Sequence, residues 1–165
     1  MVSCGPERPV AAWLGRERRG DGTIPALTLI LKSGGCRWNR CLMCGYRHFR
    51  YPGDEGALTE LIRLQIRWIR ERFAGREFGV VKIFTSGSLL DPGEVPPLAR
   101  REVLRAFRGK TVIIETRPEF VTGEVIGECM EDLDTGSGPV SFAIAMGLET
   151  SDAPIREKCI DKGFS

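Results

Sequence analysis

The chain has 165 residues, 42% of them hydrophobic and 28% charged, with 20 Gly and 6 Cys. That balance suits one folded domain with a sizeable core and excludes long disordered or collagen-like tracts. The net charge of +2 hides a gradient, with +6 over residues 1–50, +3 over residues 51–110 and −7 over residues 111–165. A basic front and an acidic back could steer a polyanion to one side.

No apolar run approaches the roughly 18 residues that a transmembrane helix needs. The opening stretch carries Pro6, Glu7, Arg8 and Pro9 and lacks the apolar centre of a signal peptide. The expected compartment is the cytoplasm, where thiols stay reduced.

Residues 1–23 are polar, Arg-rich and glycine-containing, and read as an extended lead-in without an element. The core domain is expected over residues 24–165. Ile24–Lys32 is an apolar run of strand length, whose continuity suggests burial on both faces, as in a parallel sheet. A long loop follows from Ser33 to Gly56. The spacing of Leu58, Leu61, Ile62, Ile66, Ile69 and Phe73 predicts a helix over Ala57–Phe73. Arg63, Arg67 and Arg70 form a separate stripe, read as a solvated helix face.

Val80–Phe84 is a second strand, and Pro96–Arg108 a second helix opened by proline and closed by Gly109. Thr111–Glu115 is a third strand and Phe120–Leu133 a third helix. Val140–Met146 is a fourth strand. Asp152–Lys162 is a fourth helix, with Ser151 or Asp152 as cap and Gly163 as terminator. Four strand–helix units in a row describe an α/β fold with a parallel sheet. The first and fourth strands would be exposed apolar edges, which soluble proteins avoid.

The strongest chemical signal is Gly34-Gly35-Cys36-Arg37-Trp38-Asn39-Arg40-Cys41-Leu42-Met43-Cys44-Gly45-Tyr46. Its three thiols sit just past a strand, at the edge where parallel sheets build their sites. Thiols near Arg37, Arg40 and Arg47 are expected to ionise readily, and the thiolate is the metal-binding form. Three metal readings fit the spacing. A 4Fe–4S cluster on Cys36, Cys41 and Cys44 leaves one iron open. Zinc wants a fourth ligand, which Cys4 or His48 could supply. A 2Fe–2S centre of the plant type needs a fourth cysteine, the nearest downstream being Cys129. Cys4, Cys129 and Cys159 otherwise read as lone thiols. Polar groups follow the later strands at Ser86-Gly87-Ser88, at Glu115-Thr116-Arg117 and at Gly147-Leu148-Glu149. Each would face the cysteines.

Together GGCRWNRCLMCGY, FTSGSLLDP at 84–92, ETRPEFV at 115–121 and GLETSD…IREKCIDKGFS at 147–165 resemble the radical S-adenosylmethionine superfamily. The branch they look like is the archaeosine-synthase radical-SAM subunit and its close relatives, related to the catalytic subunit of Elongator. The C-x4-C-x2-C spacing departs from the superfamily's usual C-x3-C-x2-C and fits this branch. The resemblance implies a partial (βα) barrel of about four units of the usual six. It implies a 4Fe–4S cluster on Cys36, Cys41 and Cys44 that binds S-adenosylmethionine and cleaves it to a 5′-deoxyadenosyl radical. The cofactor would meet Tyr46, Ser86, Gly87, Ser88, Glu115, Arg117 and Glu149.

In that branch the radical cleaves a carbon–nitrogen bond in a lysine-modified 7-deazaguanine of tRNA, leaving archaeosine. The implied partners are tRNA, the lysine-transferring archaeosine synthase subunit and a separately encoded C-terminal half, since family members look about twice as long. The chain is therefore expected to be the N-terminal half of a split or truncated enzyme. The alternatives are a zinc-stabilised binding module and an inactive fragment.

Overall fold

Gly20 and Asp21 form a two-residue loop, with Gly20 at a φ of +57°. A left-handed first position suits glycine and turns the chain into a hairpin. The computed structural model describes Gly5 and residues 7–164, without the side chain of Arg47. Cys4 and Ser165 lie outside the described residues.

The hairpin strands are β1 (Ala11–Arg19) and β2 (Gly22–Ile30), paired antiparallel from Ala11–Ile30 to Arg19–Gly22. The stretch read as an elementless lead-in is therefore a strand. Because β1 covers it, β2 is not the exposed edge expected of it. The signal was present in the Gly-Asp-Gly turn, but arginines at 16, 18 and 19 masked the strand pattern.

From β2 onward the expected order holds. Helix α1 (Glu55–Arg72) leads to β3 (Val80–Phe84), α2 (Pro97–Ala106) to β4 (Thr111–Glu115), and α3 (Gly123–Leu133) to β5 (Phe142–Ala145). The five strands form one mixed sheet in the order β1-β2-β3-β4-β5, parallel from β2 to β5. Asp54 caps α1 by accepting from Ala57 N at 2.8 Å, and Thr122 caps α3 by accepting from Val125 N at 3.2 Å. The expected fourth helix is instead a π-helical turn, Ile155–Ile160. Asp152 still accepts from Ile155 N at 2.9 Å, and Asp161 (φ +56°), with Gly163 beyond it, ends the turn.

Strand order equal to chain order puts successive right-handed crossovers on one face of the sheet. That face presents Leu27, Leu29, Val81, Ile83, Val112 and Ile114, all fully buried with Ile62, Ile69, Val103 and Leu104 of the helices. The opposite face carries Trp13, Thr28, Lys82, Ile113 and Ala143 in register, followed by Ile30, Phe84, Glu115 and Ala145. Lys82 pairs there with Glu17 at 2.8 Å.

One polar residue sits inside the helix layer. Gln65 is fully buried, accepts from Lys32 N at 2.7 Å and donates to Lys32 O at 3.0 Å. It imitates a neighbouring strand where β2 has ended. Gln65→Leu withdraws both partners, and equilibrium denaturation should show a loss of about 2–4 kcal/mol.

Cys129 of α3 is buried, and burial pushes its pKa up to about 11. Its thiolate forms only above that pH, so it should resist iodoacetamide between pH 7 and 9 until denaturant is added. The exposed Cys159 should react at once. Mass spectrometry of the alkylated chain checks both.

Candidate active site

Past β2 the chain must turn under the β3–α2 loop, and glycine permits the close approach. A Cβ on Gly34 would meet Gly93 O at 2.9 Å, and Gly35 lies at a φ of +83°. Glu94, fully buried, fastens this crossing. Ser33 Oγ donates to Glu94 Oε1 at 2.7 Å, Ser88 N to Oε2 at 2.7 Å, and Gly34 N to its carbonyl at 2.9 Å. Burial pushes the Glu94 carboxyl above its ordinary range, and hydrogen bonds from Thr85, Ser33 and Ser88 oppose that rise. The chain of contacts continues to β4, where Arg117 N donates to Ser88 Oγ at 3.0 Å. Three strand ends are thus joined below the cysteine loop.

Above this base lies a cavity of about 520 Å³ at the carboxyl edge, on the face without helices. Cys36, Cys41 and Cys44 open into it, together with Tyr46, Ser86, Gly87, Glu115, Arg117 and Glu149. Of the residues singled out from the sequence, Ser88 does not line it, because its hydroxyl and amide are spent on Arg117 and Glu94. His48 is exposed and does not line it either. Sequence reasoning missed Lys162 and Trp13, which do. Lys162 follows a π-helical turn and Trp13 lies on the overlooked strand, so neither stood at an expected strand end.

The cavity is strongly charged. Lys162 Nζ donates to Glu149 Oε1 at 2.9 Å, and Glu149 holds a left-handed backbone with φ +66°. A Cβ on Gly147 would stand 2.9 Å from Glu149 Oε1 and 3.2 Å from Lys162 Nζ, so glycine leaves the room in which they meet. Burial pushes the Glu115 carboxyl upward; Lys162 pulls it down and Glu149 adds to the rise.

The expected ready ionisation of the thiols is corrected at Cys41. Burial raises its pKa, Lys162 and Arg117 lower it, and Cys36 and Cys44 raise it again, for a net rise. Two of the loop arginines are taken by acids: Arg37 pairs with Asp91 at 2.7 Å, and Arg40 with Asp161 at 3.1 Å.

The segment after the π-helical turn locks onto the loop. Trp38 Nε1 donates to Asp161 O at 2.6 Å, and its ring is met by the guanidiniums of Arg40 (4.9 Å) and Arg117 (5.1 Å). Leu42 N donates to Ile160 O at 2.9 Å, and Arg117 Nη1 to Lys162 O at 2.9 Å.

The donor chemistry suits a soft metal group, since three thiols of one short loop open into one cavity beside two cations. Gly87 adds a cradle, because a Cβ there would stand 2.6 Å from Cys36 Cβ. The side chains are not drawn into a ligating group: among the described residues no three His, Cys, Asp or Glu are arranged to hold a metal ion.

The fold and cavity thus define an α/β domain with a thiol-rich, charged site at the carboxyl edge of its sheet. The chain is homologous to proteins named archaeosine synthase subunit beta. It is 38% identical to that protein of Methanosarcina acetivorans over 95% of its own length, covering 46% of the relative. It is 30% identical to that of Thermococcus kodakarensis, over 92% of its own length and 48% of the relative's. An uncharacterised protein of Methanocaldococcus jannaschii is 35% identical over 96% of the chain and 45% of its own length. The chain therefore spans about half the length of the curated relatives it matches. No protein-family profile matches it, and no solved structure does.

The Trp38 lock yields a direct test. Gly163 has a φ of +78°, and a Cβ there would lie 2.2 Å from the Trp38 ring. Gly163→Ala should eject the ring and free the loop, accelerating tryptic cleavage after Arg37 and Arg40 severalfold while the helices keep their circular dichroism.

Proposed function

We propose that this chain is part of a radical S-adenosylmethionine enzyme that modifies tRNA, acting in archaeosine formation. The observation that carries the reading is the meeting of Cys36, Cys41 and Cys44 with Glu115, Arg117, Glu149 and Lys162 in one cavity. The names of the relatives support the pathway.

Cys36, Cys41 and Cys44 would hold a 4Fe–4S cluster. Bound with S-adenosylmethionine, that group supplies one-electron cleavage of the sulfonium and a carbon-centred radical. The chain's own residues bind and orient. Lys162 and Arg117 offset the negative charge of the thiolates and can meet a carboxylate. Glu149 and Glu115 can accept from an ammonium or from ribose hydroxyls. Ser86 and Gly87 let a ligand approach the backbone at the end of β3, and Tyr46 offers a ring to an adenine.

The substrate of this reading is a lysine-modified 7-deazaguanine in tRNA, whose lysine carbon–nitrogen bond is cleaved to leave a formamidine. The lysine-transferring subunit is the proposed partner.

Cys41→Ala tests the assignment. After anaerobic reconstitution the variant should lose most of its iron and cleave S-adenosylmethionine only at background rate, with unchanged far-ultraviolet circular dichroism. Full cleavage by this variant would contradict the reading.

A further inference from the structure

The hairpin strand β1 adds a large exposed ring to the cavity. Trp13 is 46% exposed, lies on the face without helices and lines the cavity with Ile30, Met43, Tyr46 and Phe84. Its cross-strand neighbour Thr28 is buried, and Gly15, two residues along the same face, has no side chain; a Cβ there would stand 3.9 Å from the ring. The indole therefore keeps much of its surface free.

The charge along the strand beyond it is mixed: Glu17, on the same face, pairs with Lys82 at 2.8 Å. Arg19 follows on the same face of this edge strand, Arg16 and Arg18 fall on the alternate face, and none of the three meets a carboxylate among the described residues. Arg16 donates to Thr23 at 2.6 Å and Arg19 to Thr111 at 2.9 Å, both neutral partners. An exposed aromatic ring on the wall of a charged cavity is the arrangement that takes a base on its π-face.

We infer that Trp13 is the stacking platform for one planar base of an RNA substrate at the thiol cavity. The inference rests on the tRNA reading above and names the residue that receives the base. Tyr46, on the cysteine loop across the cavity, is left for the nucleoside of the cofactor. A planar base could come from either source, and the test separates them.

The experiment compares wild type with Trp13→Ala, Trp13→Leu and Trp13→Phe, each reconstituted anaerobically and checked by thermal melting. Affinity is measured at fixed salt for a tRNA transcript and, separately, for S-adenosylmethionine. Loss of one base-stacking contact should weaken tRNA binding about tenfold in the Ala and Leu variants. The Phe variant should stay within about threefold of wild type, and iron content and S-adenosylmethionine affinity should not change. Leu keeps apolar bulk without a π-face, so its loss separates stacking from packing. Unchanged tRNA affinity in the Ala variant would overturn the inference and leave the tRNA reading standing. A loss confined to S-adenosylmethionine would assign the ring to the cofactor and overturn it too. A wild-type chain that takes up iron and S-adenosylmethionine but no tRNA would overturn the tRNA reading, and this inference with it.

Discussion

A sheet whose helices all pack on one face leaves its other face to do chemistry. Here the constraint follows from strand order, because β2 to β5 succeed one another in chain order and their right-handed crossovers fall on the same side. The helix side then needs continuous apolar strands, and Leu27, Leu29, Val81, Ile83, Val112 and Ile114 supply them. The other side is free to alternate Thr28, Lys82 and Glu115 with apolar residues. Each of β2 to β5 runs its carboxyl end into a loop on the same edge, so the cysteine loop, the Ser86–Ser88 turn, Arg117 and Glu149 converge without needing to be neighbours in sequence.

The site is held by polar contacts more than by apolar packing. Glu94 gathers the ends of β2 and β3, Ser88 passes the connection to β4, and Arg117 carries it to residues 162–164. Among the described residues no buried side-chain nitrogen or oxygen lacks a partner, as a network of this kind requires. The charge gradient along the chain acquires a local meaning here. The basic front and acidic back meet beside the site, in Arg40 with Asp161. Part of the gradient is spent on closing the cysteine loop, and the arginines of β1 remain for a polyanion.

Most of this was legible in the sequence for a physical reason. Apolar runs such as VVKIF and TVIIE are buried strands, and the period of Leu58, Leu61, Ile62, Ile66 and Ile69 can only be a helix. Polar residues directly after such strands must share an edge, so Glu115, Arg117 and Glu149 were found before any coordinates. Other features depend on tertiary contacts that local pattern does not encode. Trp13 was hidden because an edge strand tolerates charge and its RERR run resembles a solvated tail. Lys162 was hidden because a π-helical turn shifts what a regular helix would present. Glu94 was hidden because a carboxylate in a loop reads as exposed until three donors surround it. The ionisation of Cys41 was misjudged because sequence proximity to arginines does not say which acids those arginines prefer.

The account stands on three cysteines of one loop acting together. The most direct measurement is anaerobic reconstitution of the purified chain with iron and sulfide, followed by metal analysis and a visible spectrum with and without S-adenosylmethionine. The account predicts a brown protein with about four irons per chain and broad visible absorption that shifts when S-adenosylmethionine is added. A colourless protein carrying about one zinc per chain would contradict it and make the cysteine loop a structural metal site instead.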